Sequence, residues 1–118
     1  MIYHITSSKD WREAQQRGVY RTESLETEGF IHCSTKAQVL PVANQLFRGQ
    51  GDLLLLGIDP AQLMSELKWE APDGKPPTDV REGDPFPHIY GPINLDAVIK
   101  VIDLQSNADG TYNLPIDL

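Results

Sequence analysis

Three histidines, His4, His32 and His88, are the side chains of this sequence best suited to moving protons near neutral pH. Each sits among aromatic or β-branched residues that read as strand: Ile2-Tyr3-His4-Ile5-Thr6, Phe30-Ile31-His32-Cys33 and Phe86-Pro87-His88-Ile89-Tyr90. Alternate residues of a strand share a face, so His4 points with Thr6, His32 with Ser34 and His88 with Tyr90. Every histidine therefore has a hydroxyl neighbour two positions on. One such histidine is ordinarily a core residue bonded to backbone. Three, with no histidine elsewhere, point to a shared cleft in which imidazoles grip a ligand or act as general acid and base.

Other chemistries have weaker support. Three cleft histidines could hold zinc with a position left for water, but the sequence has no H-x-H or H-E-x-x-H pair, and no metal is assigned. Cys33 follows His32 directly, which sends the two side chains to opposite faces of a strand, so Cys33 reads as a small core residue rather than a nucleophile. Ser34 reads first as a helix cap. There is no Gly-x-Ser-x-Gly elbow and no Walker-type loop, and Gly49-Gln50-Gly51 reads as a turn.

The elements that must position these residues belong to a chain of 118 residues, which suits one domain spanning 1–118. Ten Lys and Arg against seventeen Asp and Glu give a formal charge of −7, the wrong sign for holding long nucleic acid. The lone Cys33 excludes an intramolecular disulfide. The N-terminus lacks the basic and apolar regions of a signal peptide, and the longest apolar run, Leu53 to Ile58, is too short to span a bilayer. A soluble cytoplasmic protein with no membrane partner is expected. Oligomeric state is not legible.

Strands are expected at Ile2–Thr6, Phe30–Cys33, Leu53–Ile58 (central, because its apolar run does not alternate), Lys68–Glu70, Phe86–Tyr90 and Ala97–Leu104. A helix through Trp11–Arg17 is capped by Ser7 or Ser8 and stopped by Gly18. A second follows Ser34 to about Phe47, kinked at Pro41 unless it begins nearer Gln38. Asp59-Pro60 opens a short helix over Ala61–Ser65. The stretch from Tyr20 to Glu28 reads as irregular. Ala71 to Pro85, with six Pro or Gly, reads as a loop bordering the cleft. Asn107–Gly110 turns into Thr111–Leu114, a terminal hairpin. The fold class is α+β, with about six strands and two or three short helices.

The segments Gly29-Phe30-Ile31-His32-Cys33-Ser34-Thr35 and Phe86-Pro87-His88-Ile89-Tyr90-Gly91-Pro92-Ile93, with Trp11, Ala14, Gly18, Tyr20 and Ser24, resemble the bacterial domain-of-unknown-function family 952 over nearly the whole chain. That family carries no established activity. More distantly it is similar to the ADP-ribosyltransferase fold, a split antiparallel α+β domain. That similarity implies NAD, or a related nucleotide, held between two small sheets. It further implies that His4 contacts ribose and that Gly29-Phe30 through Ser34-Thr35 forms the second motif. The catalytic glutamate of the third motif has no counterpart within Pro87–Tyr90. Related RNA 2′-phosphotransferases also lack it and use histidine and arginine, for which Arg12, Arg21, Arg48 and Arg81 are available here.

Two functions follow. In one, an enzyme acts on NAD, ADP-ribose or a 2′-phosphorylated nucleotide. Its catalytic candidates are His4, His32 and His88, with Ser34, Thr35, Tyr90 and Arg21 holding the ligand. In the other, the cleft recognises a nucleotide-like ligand, or a protein, without chemistry.

Overall fold

A computed structural model describes residues 1–71 and 85–114. The loop expected over Ala71 to Pro85, Arg81 included, lies almost wholly outside the described residues. Among those described, the chain forms an α+β fold of antiparallel sheets and three α-helices. None of these helices is long and apolar enough to cross a membrane.

The first sheet joins β1 (Ile2–Ser7), β4 (Leu53–Ile58) and β8 (Val98–Leu104), with β4 in the middle. The run Leu53-Leu54-Leu55-Leu56-Gly57-Ile58 is buried at every position, as an unalternating strand covered on both faces must be. His4 pairs with Leu56 across the β1–β4 ladder. The second sheet carries the other two histidines, on β3 (Ile31–His32) and β6 (Phe86–Tyr90), with β5 (Glu66–Glu70) at the far edge. Its register sets His32 opposite His88 and Lys68 opposite His88 on the other side. A short pair, β2 (Val19–Tyr20) with β7 (Ile93–Asn94), is not among the strands expected from the sequence; only Tyr20 of it falls in the stretch read as irregular.

Helix α1 (Ser8–Arg17) is capped by the Ser7 hydroxyl, which accepts from the Asp10 amide. It ends at Gly18, whose φ of 89° is left-handed and suits a residue without Cβ. Helix α2 (Glu23–Thr27) also falls in the segment expected to be irregular; five residues with no buried side chain leave little periodic signal. Helix α3 (Lys36–Leu46) runs through Pro41 and buries Val39 and Ala43. Its cap is Thr35, not Ser34. Thr35 and Gln38 form a reciprocal capping box, while Ser34 is held in an extended bridge to Tyr3.

Two hydrophobic clusters fill the interior. One gathers Ile2, Ile31, Leu56, Ile58, Ile89 and Ile93 between the sheets and α1; the other packs Tyr3, Leu55, Val39, Ala43, Leu104 and Tyr112 under α3. At the C-terminal side, the expected hairpin is reduced to the single bridge Ser106–Tyr112, with Tyr112 anchored through its hydroxyl on the Phe47 carbonyl at 2.7 Å.

Candidate functional site

The first and second sheets meet where β1 passes the end of β3. Tyr3 and Ser34 exchange backbone hydrogen bonds of 2.8 and 2.7 Å, and the His4 ring crosses the same junction to donate from Nδ1 to the His32 carbonyl at 2.6 Å. A cleft of about 790 Å³ opens along this junction, a size that suits a small organic ligand. His4, His32, Ser34 and His88 all contribute to its wall.

His4 is 8% exposed and fully committed. Its Nδ1 faces a carbonyl, which can only accept, so the neutral ring keeps its proton there and Nε2 accepts from the Tyr20 hydroxyl, 2.8 Å away. The same Tyr20 hydroxyl points to Thr6 Oγ1, 2.8 Å away, so one phenol proton is shared between two buried acceptors. Burial pushes the His4 imidazole down to about 4 and the Tyr20 phenol upward, so the neutral arrangement holds across physiological pH.

His32 is the exposed member, with its Nε2 donating to Glu28 at 3.0 Å. Its ring lies edge-on to Phe30, centroids 4.8 Å apart, and edge-on to His88 at 5.4 Å.

His88 is completely buried, stacked on the Phe30 ring at 4.1 Å and 21°. Its Nδ1 donates to Glu70 Oε1 at 3.1 Å, and the Tyr90 hydroxyl donates to the same oxygen. These two donors hold the Glu70 carboxyl below the usual range, the Tyr90 bond first. The same contact pushes the Tyr90 phenol up to about 12. Burial lowers the His88 imidazole against the opposing pull of Glu70, which leaves it neutral with its proton on Nδ1. Its Nε2 lone pair is then a buried acceptor, and it has no hydrogen-bond partner among the described residues. Such an atom costs about 1–3 kcal/mol to bury, and native structures keep few of them. With Nδ1–H on a carboxylate and Nε2 unpartnered, the His88 ring can take up a proton at Nε2 from one fixed tautomer.

The remaining candidates stand elsewhere. Thr35 is occupied in capping α3, and Arg21 is exposed outside the described cleft wall. Tyr90 likewise lies outside that wall; its ring tilts against Phe30 at 5.4 Å, with the Lys68 ammonium 4.7 Å above it. Cys33 is buried, and burial drives its thiol upward, away from thiolate chemistry. No group of three or more His, Cys, Asp or Glu suited to a metal ion occurs among the described residues. Sequence reasoning assigned no site role to Glu70 or Tyr20: Glu70 is identified only by the β5–β6 register, and Tyr20 entered only through the family resemblance.

The family model described as "Protein of unknown function (DUF952)" matches residues 5–101. The crystal structure of protein CC0527 from Caulobacter crescentus is 36% identical, with a TM-score of 0.82 over 96% of this chain and 93% of that one. The solution NMR structure of CC0527 is also 36% identical, with a TM-score of 0.79 over 99% and 95% of the two chains. No curated protein matches.

Proposed function

The chain belongs to the DUF952 family, and from that premise we propose that its cleft binds a nucleoside- or nucleotide-like small molecule on which His88, held by Glu70, acts as general base. The observation that carries this reading is the buried, unpartnered Nε2 of an imidazole whose other nitrogen is fixed by a carboxylate. A hydroxyl or water admitted to the buried Nε2 would donate to it and lose its proton there, while Glu70 stabilises the imidazolium that forms.

The ADP-ribosyltransferase-like likeness drawn from the sequence makes NAD or ADP-ribose the representative ligand. The two antiparallel sheets that meet at Tyr3 and Ser34 support it, as does His4 beside the cleft. Glu70 on β5 sets a carboxylate beside His88, which supports reading it in place of the glutamate that the third motif lacks on β6. Neither Lys nor Arg occurs among the described residues of the cleft wall, which weighs against the 2′-phosphate and against the pyrophosphate of NAD or ADP-ribose alike, so the wall suits the nucleoside part of these ligands.

The test incubates the protein with NAD, with ADP-ribose and with a 2′-phosphorylated RNA end, following nicotinamide release, ribose products and phosphate loss. Turnover that falls by about 10²–10⁴-fold in a folded His88→Ala variant supports the reading. Equal turnover in the variant removes the base assignment. Saturable binding without turnover leaves a recognition module.

A further inference from the structure

The charges around the cleft narrow the ligand class. The described wall holds two carboxylates, Asp10 and Glu23, and neither Lys nor Arg. A third, Glu28, stands against His32 at its rim. These charges reach inward. Asp10 acts on both His4 and Tyr20, and Glu28 on His88, in each case favouring the more positive form of the ring, while His32 on the same wall opposes them at His4 and His88.

The inner polar atoms agree with this field. His4 Nε2 is satisfied by Tyr20, and the Ser24 hydroxyl donates to the Phe30 carbonyl at 2.8 Å. Among the described residues, the buried side-chain atom left over is His88 Nε2, and in the neutral ring it is an acceptor. A ligand for this wall must bring a donor to that nitrogen and must not bring negative charge. A phosphate brings two negative charges and, at neutral pH, almost no donors.

We infer that the cleft selects a hydroxyl-bearing nucleoside without phosphate, its ribose hydroxyl donating to His88 Nε2 and its surroundings held negative by Asp10 and Glu23. This rests on the reading of the cleft as a ligand site and specifies its substrate class. Flat aromatic surface for the base is at hand in Phe86 on the same wall. Positive charge developing on the ribose during glycosidic cleavage would be favoured by the same field.

The experiment is calorimetric titration of the intact protein with adenosine, adenosine 5′-monophosphate and adenosine 2′-monophosphate. Adenosine is expected to bind at least about tenfold more tightly than either monophosphate at low salt, with the gap shrinking as salt approaches about 0.5 M. In the doubly substituted Asp10→Asn, Glu23→Gln protein, the gap should fall to about twofold. Both residues are exposed, so folding should be little affected. Equal or tighter binding of a monophosphate overturns the inference and leaves the cleft as a ligand site. NAD turnover without adenosine binding has the same meaning. Binding of none of the three, with no turnover of NAD, overturns both.

Discussion

Glu70 and His88 stand diagonally across the β5–β6 ladder: Glu70 is paired with Phe86, His88 with Lys68, and the carboxylate leans along the strand to meet Nδ1 at 3.1 Å. The contact thus depends on register as much as on residue type. A slip of one residue would send Glu70 to the opposite face.

Replacing Glu70 with Gln keeps the shape and an acceptor oxygen but removes the charge. Turnover should fall by about 10²-fold or more, because the imidazolium formed on His88 loses its counter-charge. The carboxylate raises the His88 imidazole, so the variant's acidic limb, where the base becomes protonated, should move to lower pH. A pH profile of kcat/KM checks both. An unmoved limb with reduced activity would mean that Glu70 is merely structural.

Tyr20→Phe removes one hydroxyl that serves two buried partners, His4 Nε2 and Thr6 Oγ1. A loss of about 2 kcal/mol in urea unfolding is expected from the groups left unpaired. Adding Thr6→Val should cost less in that background than in the parent protein, since the Thr6 hydroxyl has already lost Tyr20. Strict additivity of the two would show that the three groups do not act together.

Acid should unfold the protein earlier than its carboxylates alone require. His4 titrates at about 4 when folded and near 6.5 when unfolded, so between those values the unfolded chain binds the proton that the folded chain refuses. Stability therefore drops as pH falls from 6.5 toward 4, by an amount on the order of 3 kcal/mol for this group, and His88 acts in the same direction. Urea midpoints at pH 7.5, 5.5 and 4.5 measure the slope. A His4→Gln variant should flatten it, and a slope unchanged by that substitution would contradict the account.

Gly91 lies where a Cβ would run into the Ser65 side chain, which is itself bonded to the Pro92 carbonyl at 2.7 Å. Gly91→Ala should cost about 1–3 kcal/mol by overpacking. Ser65→Gly in the same chain should recover part of it. Thermal unfolding of the single and double variants compares them.

The parts of the site that obey strand parity were legible in advance. His4 with Thr6, and His88 with Tyr90, share faces as alternation requires, and each pair converges on one third residue, Tyr20 or Glu70. The third residues were not legible, because parity orders residues along one strand and is silent on which strand lies beside it. Ser34 misled for a related reason. As a serine before a helix it suited a cap, but its backbone was already used in the bridge to Tyr3, and the Thr35-x-x-Gln38 spacing one residue later was the better signal. The central position of Leu53–Ile58 was readable because burial on both faces erases alternation.

The paired amides of Tyr3 and Ser34 work as a stitch between two cloths. It is reinforced by the His4 ring on the His32 carbonyl and backed by the apolar cluster of Ile2, Leu56, Ile31 and Ile89 packed between the same sheets. Deuterium uptake at those two amides, read against uptake in the β4 ladder, becomes a gauge of how often the seam gives while the fabric on either side stays whole.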